Sequence, residues 1–276
     1  MESHDLWIFK HVAELHSISR AAEKLGYVQP NISQRIKNLE EELGVQLFIR
    51  NNRGVTLTDQ GQILLDYTNQ IMMLMNEAKT KINPKKWRES LIIGAPQTIS
   101  AVKVPYLFSS FLQSNNNIDV KIKTTNKLKL QEMLAYGEVD GIFISGSYND
   151  SQFESVYSYF EDIILISPIE QYPHPTLLIN SDPSCIYRKK LLEVAEKQNW
   201  NQPAMMEFDS LESILQAAHA GLGISILPAD VAHGRKEMKT IHHEKLLDKI
   251  KIDFIIKRGK QGSQSLEKFI GFLKEL

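Results

Sequence analysis

Polar side chains that could read the bases of DNA are concentrated in one short segment near the amino terminus. Between Gln29 and Lys37, amides, a hydroxyl and a guanidinium group alternate with the apolar residues Ile32 and Ile36. Amide and guanidinium groups can hydrogen-bond with base edges, and serine, lysine and arginine can contact phosphates. Because Ile32, Ile36 and Leu39 recur at helical spacing, the polar side chains would share the opposite face. The pattern predicts a helix that presents base-reading groups.

A second, shorter helix must position this one. Ala21, Ala22 and Leu25 fall on one helical face, and Gly26 follows where a tight turn is needed. Small alanines at the contact let two helices cross closely, so the two segments together predict a helix-turn-helix. For this stretch alone, the alternative is an ordinary helical hairpin with a polar surface.

The segment that follows predicts a small hairpin beside the two helices. Gly44 ends the helix, and Val45–Ile49 and Val55–Leu57 have the pattern of two short strands. The connection between them carries arginine at its base and tip, Arg50 and Arg53. A basic hairpin next to a recognition helix is typical of a winged helix-turn-helix.

These segments also resemble a known family. Six fragments occur in the order F-x-x-V, S-x-x-R-A-A, Q-P-x-I-S, L-E-x-x-L-G, L-F-x-R and L-T-x-x-G, starting at Phe9 and ending at Gly61. Together they are similar to the amino-terminal domain of LysR-type transcriptional regulators. One residue departs from the pattern, because Val28 stands where the family usually carries a serine that caps the recognition helix. Valine cannot accept a hydrogen bond, so we expect this helix start to rely on water, on DNA phosphate or on Asn31.

The resemblance implies sequence-specific binding to double-stranded DNA. We expect the polar face to read or flank bases, with Asn31 and Arg35 as the first candidates for base edges, and the flanking groups to hold the backbone. The predicted DNA-binding residues are Ser19, Arg20, Gln29, Pro30, Asn31, Ser33, Gln34, Arg35, Lys37, Arg50, Arg53 and Thr58. Two copies would present two recognition helices and favour inverted half-sites.

The overall charge is close to neutral, but its distribution is not. The formal net charge is −1, whereas the segment from Lys24 to Lys37 contains three basic residues and no acid. The acidic block Glu40–Glu42 would lie on the side away from DNA. We therefore expect modest affinity per subunit, with a dependence on salt and on oligomerisation.

Other classes of site find little support in the sequence. The single cysteine, Cys185, excludes an internal disulfide and a multi-cysteine metal site. The eight histidines lack metal-ligand spacing, and there is neither a nucleophile elbow nor a phosphate loop, so we expect no enzyme, no metal and no cofactor. The chain starts without a leader and has no apolar run of roughly 18 residues, which favours a cytoplasmic location without a membrane anchor.

A long helix is predicted from Asp59 to about Lys81. Its apolar positions step by three and four residues: Leu64, Tyr67, Ile71, Leu74 and Ala78, widened by Ile63, Met75 and Ile82. A heptad seam on an otherwise exposed helix has nothing to pack on except a second copy, so we interpret it as a dimerising linker helix. The alternative is an amphipathic helix that lies on its own domain. Asn83-Pro84 marks a hinge.

The remainder alternates short apolar strands with helices, which predicts a mostly parallel sheet in an α/β domain. The pattern starts again after Glu161, as expected for two lobes. The fragments G-E-V-D-G at 137–141 and A-G-L-G-I-S-I-L-P at 220–228 match the effector-binding half of the same regulators. That resemblance implies a two-lobed fold of the periplasmic-binding-protein (type 2) kind.

The sequence therefore predicts three parts. A winged helix-turn-helix domain spans 1–58, a dimerising linker helix and hinge span 59–89, and an α/β effector-binding domain spans 90–276. Lobe one comprises about 90–161 plus 266–276, and lobe two about 162–265. The resemblance also implies a homodimer or homotetramer, with RNA polymerase as a candidate further partner.

Ligands of open α/β sheets bind beyond the carboxyl ends of strands, where helix amino termini present free N–H groups. That rule points to the loop after the first strand and to the segment from Ser184 to Arg188, with Ser145 nearby. We expect a small effector, anionic rather than cationic. The predicted contacts are Gln97, Thr98, Ser100, Ser145, Ser184, Cys185, Tyr187 and Arg188. The alternative for Thr98 and Ser100 is that they only cap a helix.

The sequence predicts a transcriptional regulator switched by a small molecule, and two rival interpretations stay open. Cys185, at a helix amino terminus three residues before Arg188, would have a lowered pKa and could sense oxidants, or it could simply line the pocket. From a different class, the chain could be a solute-binding protein with an accessory helical domain.

Overall fold

A computed structural model describes residues 1–51, 54–83, 86–168, 175–200, 202–232, 241–259 and 262–276. Its amino-terminal part packs three helices and a two-stranded hairpin around one apolar core. The elements are α1 (Ser3–Leu15), α2 (Ile18–Leu25), α3 (Gln29–Leu43), β1 (Phe48–Asn51) and β2 (Gly54–Leu57). Ile32, Ile36 and Leu39 of α3 are buried, as the helical spacing predicts.

The ends of these helices follow from local chemistry. Ser17 caps α2 by accepting a hydrogen bond from the backbone N–H of Arg20. Gly26 ends α2 in the left-handed conformation at φ 71°, which glycine adopts without steric cost. Helix α1 begins after Glu2, which forms a capping box with Asp5. Val28 leaves the start of α3 without a side-chain cap.

The hairpin begins later than the predicted strand Val45–Ile49. Strand β1 starts at Phe48, because the backbone N–H groups of Leu47 and Phe48 donate to the carboxylate of Glu40 (2.8 and 3.2 Å) instead of to a strand. Strand β2 lies against the end of α1, where Val55 N–H donates to the carbonyl of His16 at 3.0 Å. A Cβ atom at Gly54 would overlap that carbonyl oxygen. The hairpin is thus fixed to both α1 and α3.

Helix α4 (Asp59–Ile82) has two faces of different character. On one face, Leu65 is buried in the amino-terminal core and Thr68, Asn69 and Thr80 are buried further along. On the other face, large apolar side chains are exposed. Those side chains are Ile63 (58% exposed), Tyr67 (61%), Leu74 (57%), Met75 (37%) and Ile82 (83%). The sequence-based interpretation took the helix as otherwise exposed, whereas one side of it packs on its own chain.

The second half is built from a six-stranded sheet, a two-stranded sheet and flanking helices. The strands are β3 (Glu89–Ala95), β4 (Ile118–Thr124), β5 (Gly141–Ser145), β6 (Phe153–Ser167), β7 (Leu177–Asn180), β8 (Met205–Phe208), β9 (Ser225–Pro228) and β10 (His242–Lys257). The helices are α5 (Gln97–Ser114), α6 (Lys127–Tyr136), α7 (Ile186–Lys197), α8 (Leu211–His219), a 3₁₀ turn (Ala229–Ala232) and α9 (Gln264–Lys274).

The sheet is mixed, so the expectation of a mostly parallel sheet is wrong. The order is β4-β3-β5-β10-β6-β9; β3 pairs in parallel with β4 and β5, whereas β10 and β6 pair antiparallel with their neighbours. The sequence pattern missed most of β6 and β10 because polar residues interrupt their apolar runs, as in Glu154 to Ser158. Both strands run through the two lobes. The carboxyl half of β10, which we placed in lobe two, pairs with β5 of lobe one.

Helix α9 returns to lobe one, where Phe269 stacks on Phe108 with ring centroids 4.8 Å apart. Leu266, Phe269 and Leu273 are buried in the same core as the first strand, β3. Burial of this aromatic cluster ties the end of the chain to lobe one. Among the described helices, none is both long enough and apolar enough to cross a membrane.

Candidate nucleic-acid interface and effector cleft

The polar face of α3 lies on the outside of the molecule. Gln29, Asn31, Gln34 and Lys37 are exposed, and Ser33 is half-buried. Gln29 is positioned from α2, because the hydroxyl of Ser19 donates to its side-chain oxygen at 2.8 Å. An exposed row of amides on a rigid helix can hydrogen-bond with base edges in a major groove.

Arg35 is held more tightly than its place on this face suggested. Its guanidinium donates to Asp5 Oδ1 at 2.7 Å, and the Arg35 side chain is 36% exposed. To reach a base, Arg35 would have to leave this ion pair with α1. Arg35 therefore remains a candidate for base contact, with Asn31 the less constrained of the two.

The predicted backbone contacts fall into three groups. Arg20 and Pro30 are exposed beside the turn, and Arg50 is exposed on β1. Thr58 already uses its hydroxyl twice, because it accepts from Gly61 N–H at 2.9 Å to cap α4 and donates to the Gln46 carbonyl at 2.8 Å. Arg53 lies outside the described residues.

Glu40 is a residue that the sequence interpretation assigned only to an acidic block. In the structure its carboxylate accepts two backbone N–H groups and so sets where β1 begins. The sequence did offer a signal for this role, because Glu40 lies one turn before the glycine that ends the helix and shortly before an apolar strand. Its role is to fix the angle between the recognition helix and the hairpin.

The second candidate site is a cleft of about 280 Å³ between the two lobes. Six of the eight predicted effector contacts line it, namely Gln97, Thr98, Ser145, Ser184, Cys185 and Tyr187. Ser100 does not line it and shares a hydrogen bond with Thr124 at 2.9 Å. Arg188 points elsewhere, because its guanidinium donates to Glu207 at 2.8 Å and to the carbonyl of Asn180 at 2.9 Å.

Two helices start at this cleft. Helix α5 begins after Pro96, which makes no side-chain capping bond. Helix α7 begins after Cys185, whose thiol accepts from the backbone N–H groups of Tyr187 and Arg188. Thr98 and Ser100 lie inside the first turn of α5, after its cap position at Pro96. The N–H groups at the start of α5 and the positive ends of the two helix dipoles favour an anion between the two helices.

Lys127 is the cationic side chain of the cleft, and sequence reasoning missed it. Its ammonium donates to the carbonyl of Ser145 at 2.7 Å. Burial, and then the charge of Lys189, lower the pKa of Lys127. The residue opens α6 directly after the polar run Thr124–Asn126 at the end of β4, so the strand-end rule could have identified it.

Carboxylates also reach this cleft, but other groups already hold them. Asp182 accepts from the backbone N–H of Ser184 (2.9 Å) and from the hydroxyl of Ser184 (2.8 Å). Asp209 accepts from the hydroxyl of Ser181. Across the cleft, the side-chain oxygen of Gln97 accepts from Leu211 N–H at 3.1 Å and so connects α5 of lobe one with α8 of lobe two.

The expectation of a lowered pKa at Cys185 is wrong. Burial raises the pKa of the Cys185 thiol, and hydrogen bonds from the backbone N–H groups of Arg188 and Tyr187 only partly oppose it. Desolvation disfavours the charged thiolate more than the helix end favours it. The geometry is that of a residue lining the pocket. Within the described part of the chain, no three His, Cys, Asp or Glu side chains are arranged to hold a metal ion.

Two family models match the chain and together account for most of it. Residues 3–62 match the model described as "Bacterial regulatory helix-turn-helix protein, lysR family". Residues 84–276 match the model described as "LysR substrate binding domain". Residues 63–83, which contain most of α4, lie between the two matches.

Individual proteins agree with these matches. The chain is 35% identical over 279 residues to the HTH-type transcriptional regulator YusT of Bacillus subtilis (strain 168), covering 98% of this chain and 94% of that protein. Among solved structures, a full-length point variant of OxyR from Pseudomonas aeruginosa gives a TM-score of 0.71 at 21% identity, covering 99% and 95% of the two chains. Full-length CbnR in complex with its target DNA gives 0.57 at 23% identity, covering 100% and 99%. The latter two similarities establish the fold.

Proposed function

The chain belongs to the LysR family of DNA-binding transcriptional regulators, and we propose that it reads its operator through α3 and is switched by a small anion in the cleft between its lobes. The observation that carries the first part is the exposed polar face of α3, led by Asn31 and Gln34. The observation that carries the second part is the pair of helix starts beside Lys127 in the cleft. A regulator of this kind acts where the chromosome is, in the cytoplasm.

Base reading would come from α3 and phosphate contact from its flanks. Asn31 and Gln34 carry amides that can pair bidentately with adenine, and Ser33 and Arg35 would flank them. Lys37 and Arg50 are exposed cations, suited to the phosphate backbone. This arrangement favours a regulator over a solute-binding protein, whose function would leave the polar face of α3 unused.

Alanine substitutions on α3 test this assignment. We expect Asn31→Ala and Gln34→Ala each to weaken binding to the operator by about tenfold or more, because a lost bidentate contact costs roughly 1–3 kcal/mol. Lys37→Ala should weaken binding to all sequences alike and reduce the salt slope by about one. Operator fragments would be selected from the source genome with the full-length protein, and the binding of each variant to them would be measured by footprinting.

The control replaces an exposed lysine of the effector half, in Lys121→Ala, which removes the same charge far from α3. Unchanged protection in both α3 variants would contradict the assignment, as would equal losses in the control. Because Arg35 is bound to Asp5, Arg35→Ala should be compared with Asp5→Asn, which frees the guanidinium without removing it.

Dimerisation would use the exposed apolar face of α4. Ile63, Tyr67, Leu74 and Ile82 are each more than half exposed, and buried contact with a second copy would remove this surface from water. Two antiparallel copies would aim two α3 helices at inverted half-sites. Tetramers through the effector halves, and contact with RNA polymerase, would follow from the same family plan.

The anionic effector would bind between Lys127 and the starts of α5 and α7. Thr98 supplies a hydroxyl nearby, while Asp182 is paired with the hydroxyl of Ser184 and Asp209 with that of Ser181. A ligand can close the lobes only if it binds the closed arrangement more tightly than the open one, since equal affinity for both shifts no equilibrium. The bond between Gln97 and Leu211 N–H spans the cleft, so it would respond to such closure.

A screen of small carboxylates and phosphates by thermal shift, followed by calorimetry, tests the cleft. We expect Lys127→Met to weaken an anionic hit by about tenfold or more and Thr98→Ala to weaken it less, because a charged contact is worth more than a neutral one. Lys123→Met, an exposed lysine on β4, is the matched control. A hit whose affinity is the same in Lys127→Met and in the unmodified protein would contradict the anionic site.

A further inference from the structure

The side chains that line the cleft between the lobes carry charges of both signs. Among the described residues of its wall, Lys127 is positive, whereas Asp182 and Asp209 are negative. The hydrogen bonds that the structure shows for these three side chains go to neutral groups of their own lobe, a carbonyl for the lysine and serine groups for the two aspartates. An anion without a positive group would therefore satisfy Lys127 and leave the carboxylates without a counter-charge.

Lys127 and Asp209 both keep bonding capacity for a ligand. An ammonium has three protons to donate, and Lys127 donates to one backbone carbonyl, at 2.7 Å. Asp209 is exposed, and the hydroxyl of Ser181 bonds to its Oδ1, which leaves Oδ2 for a further donor. Asp182 differs, because both of its oxygens accept from the hydroxyl of Ser184, at 2.8 Å each. The cleft thus offers a cation on lobe one and an accessible carboxylate on lobe two.

The lobes are within hydrogen-bond distance of each other next to Asp209. The side-chain oxygen of Gln97 in α5 accepts from the backbone N–H of Leu211 at 3.1 Å, and Leu211 follows Asp209 by two residues. Asp209 therefore lies beside a contact between the lobes. A small ligand bound there can contact both lobes at once.

The rest of the wall suits a compact polar molecule. The cleft has a volume of about 280 Å³, slightly below the roughly 300–1,000 Å³ typical of sites for drug-sized ligands. Hydroxyl and amide side chains supply much of the remaining lining, including Thr98, Thr125 and Asn126 of lobe one and Asn180 of lobe two. These groups can hydrogen-bond with both the donors and the acceptors of a small ligand.

We propose that the effector is a small amino acid, with its carboxylate beside Lys127 and the start of α5 and its ammonium at Asp209. This inference rests on the proposed function, because it takes the anionic group of the effector to be that carboxylate. The two charged groups of the ligand contact different lobes, so the ligand makes both contacts only when the lobes are close together. Such a ligand has the preference for one arrangement of the lobes that a switch requires.

A thermal-shift screen of the twenty common L-amino acids and 4-aminobutanoate, with the full-length protein and without DNA, tests the class of ligand. The best hit is then compared by calorimetry with two analogues of the same skeleton, the acid that lacks the amino group and the amine that lacks the carboxylate. We expect saturable binding of the amino acid and at least tenfold weaker binding of each analogue, because each lacks one charge-assisted contact. Absence of amino-acid binding, or equally tight binding of the acid analogue, would overturn the proposal.

Substitution of Asp209 tests the ammonium contact. Asp209→Asn removes the charge but keeps an acceptor for Ser181, so it should weaken the amino acid by at least tenfold without weakening the acid analogue. Lys127→Met should weaken both ligands. Glu212→Gln is the control, because Glu212 is an exposed carboxylate three residues later that does not line the cleft, and it should bind the amino acid as the unmodified protein does. Unchanged amino-acid affinity in Asp209→Asn, or an equal loss in Glu212→Gln, would contradict the contact.

These measurements separate this inference from the proposed function. If the acid analogue binds as tightly as the amino acid and Lys127→Met weakens both, the anionic site stands and the ammonium contact is wrong. If Lys127→Met leaves both affinities unchanged, the anionic site is wrong and the inference falls with it. If Asp209→Asn does not fold, the comparison of the three ligands on the unmodified protein still decides the proposal.

Discussion

At the scale of single residues, Glu161 is an unusual feature of the second half. It lies on β6 where the chain crosses between the lobes, and it is 5% exposed. Its Oε2 accepts from the hydroxyl of Tyr187, and its Oε1 accepts nothing from the described residues. Burial raises the pKa of Glu161 to about 7; the Tyr187 bond and Lys103 work against the rise, and Asp230 adds to it. The carboxyl is thus protonated in mildly acid solution.

This shift predicts how stability changes with pH. A carboxyl whose pKa is higher in the folded state stabilises the fold at low pH and loses that contribution as pH rises from its ordinary value of 4.5 to about 7. The loss is on the order of 3 kcal/mol. We expect Glu161→Gln, which can still accept from Tyr187, to flatten this part of the profile and to be more stable than the unmodified protein at pH 8.

Urea unfolding at pH 5 and pH 8 measures the effect. Glu154→Gln, earlier on the same strand and more exposed, is the control and should keep the pH dependence of the unmodified protein. A profile for Glu161→Gln that parallels the unmodified one would show that Glu161 is already ionised in the folded state at pH 5.

Cys185 gives a second prediction at this scale. Because burial raises the pKa of its thiol, little thiolate is present near pH 7 and reaction with electrophiles should be slow. We expect iodoacetamide to modify the folded protein at least tenfold more slowly than the urea-unfolded protein at the same pH. Peroxide should leave DNA binding equal in Cys185→Ser and the unmodified protein. A peroxide response that disappears in Cys185→Ser would restore the oxidant-sensing interpretation.

At the scale of elements, the two faces of α4 are the feature that bears most on dimerisation. Its buried positions Leu65 and Thr68 face its own chain, and its exposed positions Tyr67 and Leu74 face outward. An amphipathic helix normally has one apolar face and one polar face. This one is packed on one side and apolar on the other, which is what a helix shared between two copies requires.

Leu74→Glu tests that argument. Leu74 is 57% exposed in the single chain, so a glutamate there costs the monomer little, whereas a dimer would have to bury the charge. We expect the dimer dissociation constant to rise by at least tenfold, about 1.4 kcal/mol, as measured by analytical ultracentrifugation. Lys121→Glu, a similar exposed charge change on β4, should leave the oligomer unchanged. An intact dimer in Leu74→Glu would place the interface elsewhere.

The elements also show what the sequence can and cannot predict. Helical spacing and one glycine predicted α2, the turn at Gly26 and α3, because these signals are local. Strands β6 and β10 were missed because polar residues interrupt their apolar runs, and pairing between residues about 90 apart in sequence has no local signal. The same limit applies to sites. The Asp5 partner of Arg35 is a tertiary contact that the local sequence does not indicate.

At the scale of the whole molecule, the DNA-binding half is docked on lobe one. His16, at the end of α1, lies 2.8 Å from Glu132 of α6 and edge-on to the ring of Tyr136. Asn69 of α4 donates to the carbonyl of Tyr136 at 3.1 Å, and Lys257 forms an ion pair with Asp66. Burial alone would raise the pKa of Glu132, but Lys129 and His16 hold that pKa below its usual range. Its carboxylate therefore stays charged at neutral pH, and its contribution is lost only as pH falls through that lowered value.

These contacts set the position of α3 relative to the effector half. Removing them should allow the DNA-binding half to move away from lobe one. Asn69 is 7% exposed and bridges Lys10 to the Tyr136 carbonyl, so Asn69→Ala removes two contacts at once. Glu132→Gln removes the charge facing His16. Because single exposed ion pairs contribute only about 0–1 kcal/mol, we expect a clear effect in the double variant rather than in Glu132→Gln alone.

Hydrogen exchange in the double variant should rise in α6 and at the end of α1, and the radius of gyration from X-ray scattering should increase. Lys123→Gln, on β4 of the same lobe, should change neither quantity. Unaltered hydrogen exchange in the double variant would mean that the DNA-binding half is held in place by its connection through α4. The spacing of the two half-sites would then be set by that helix alone.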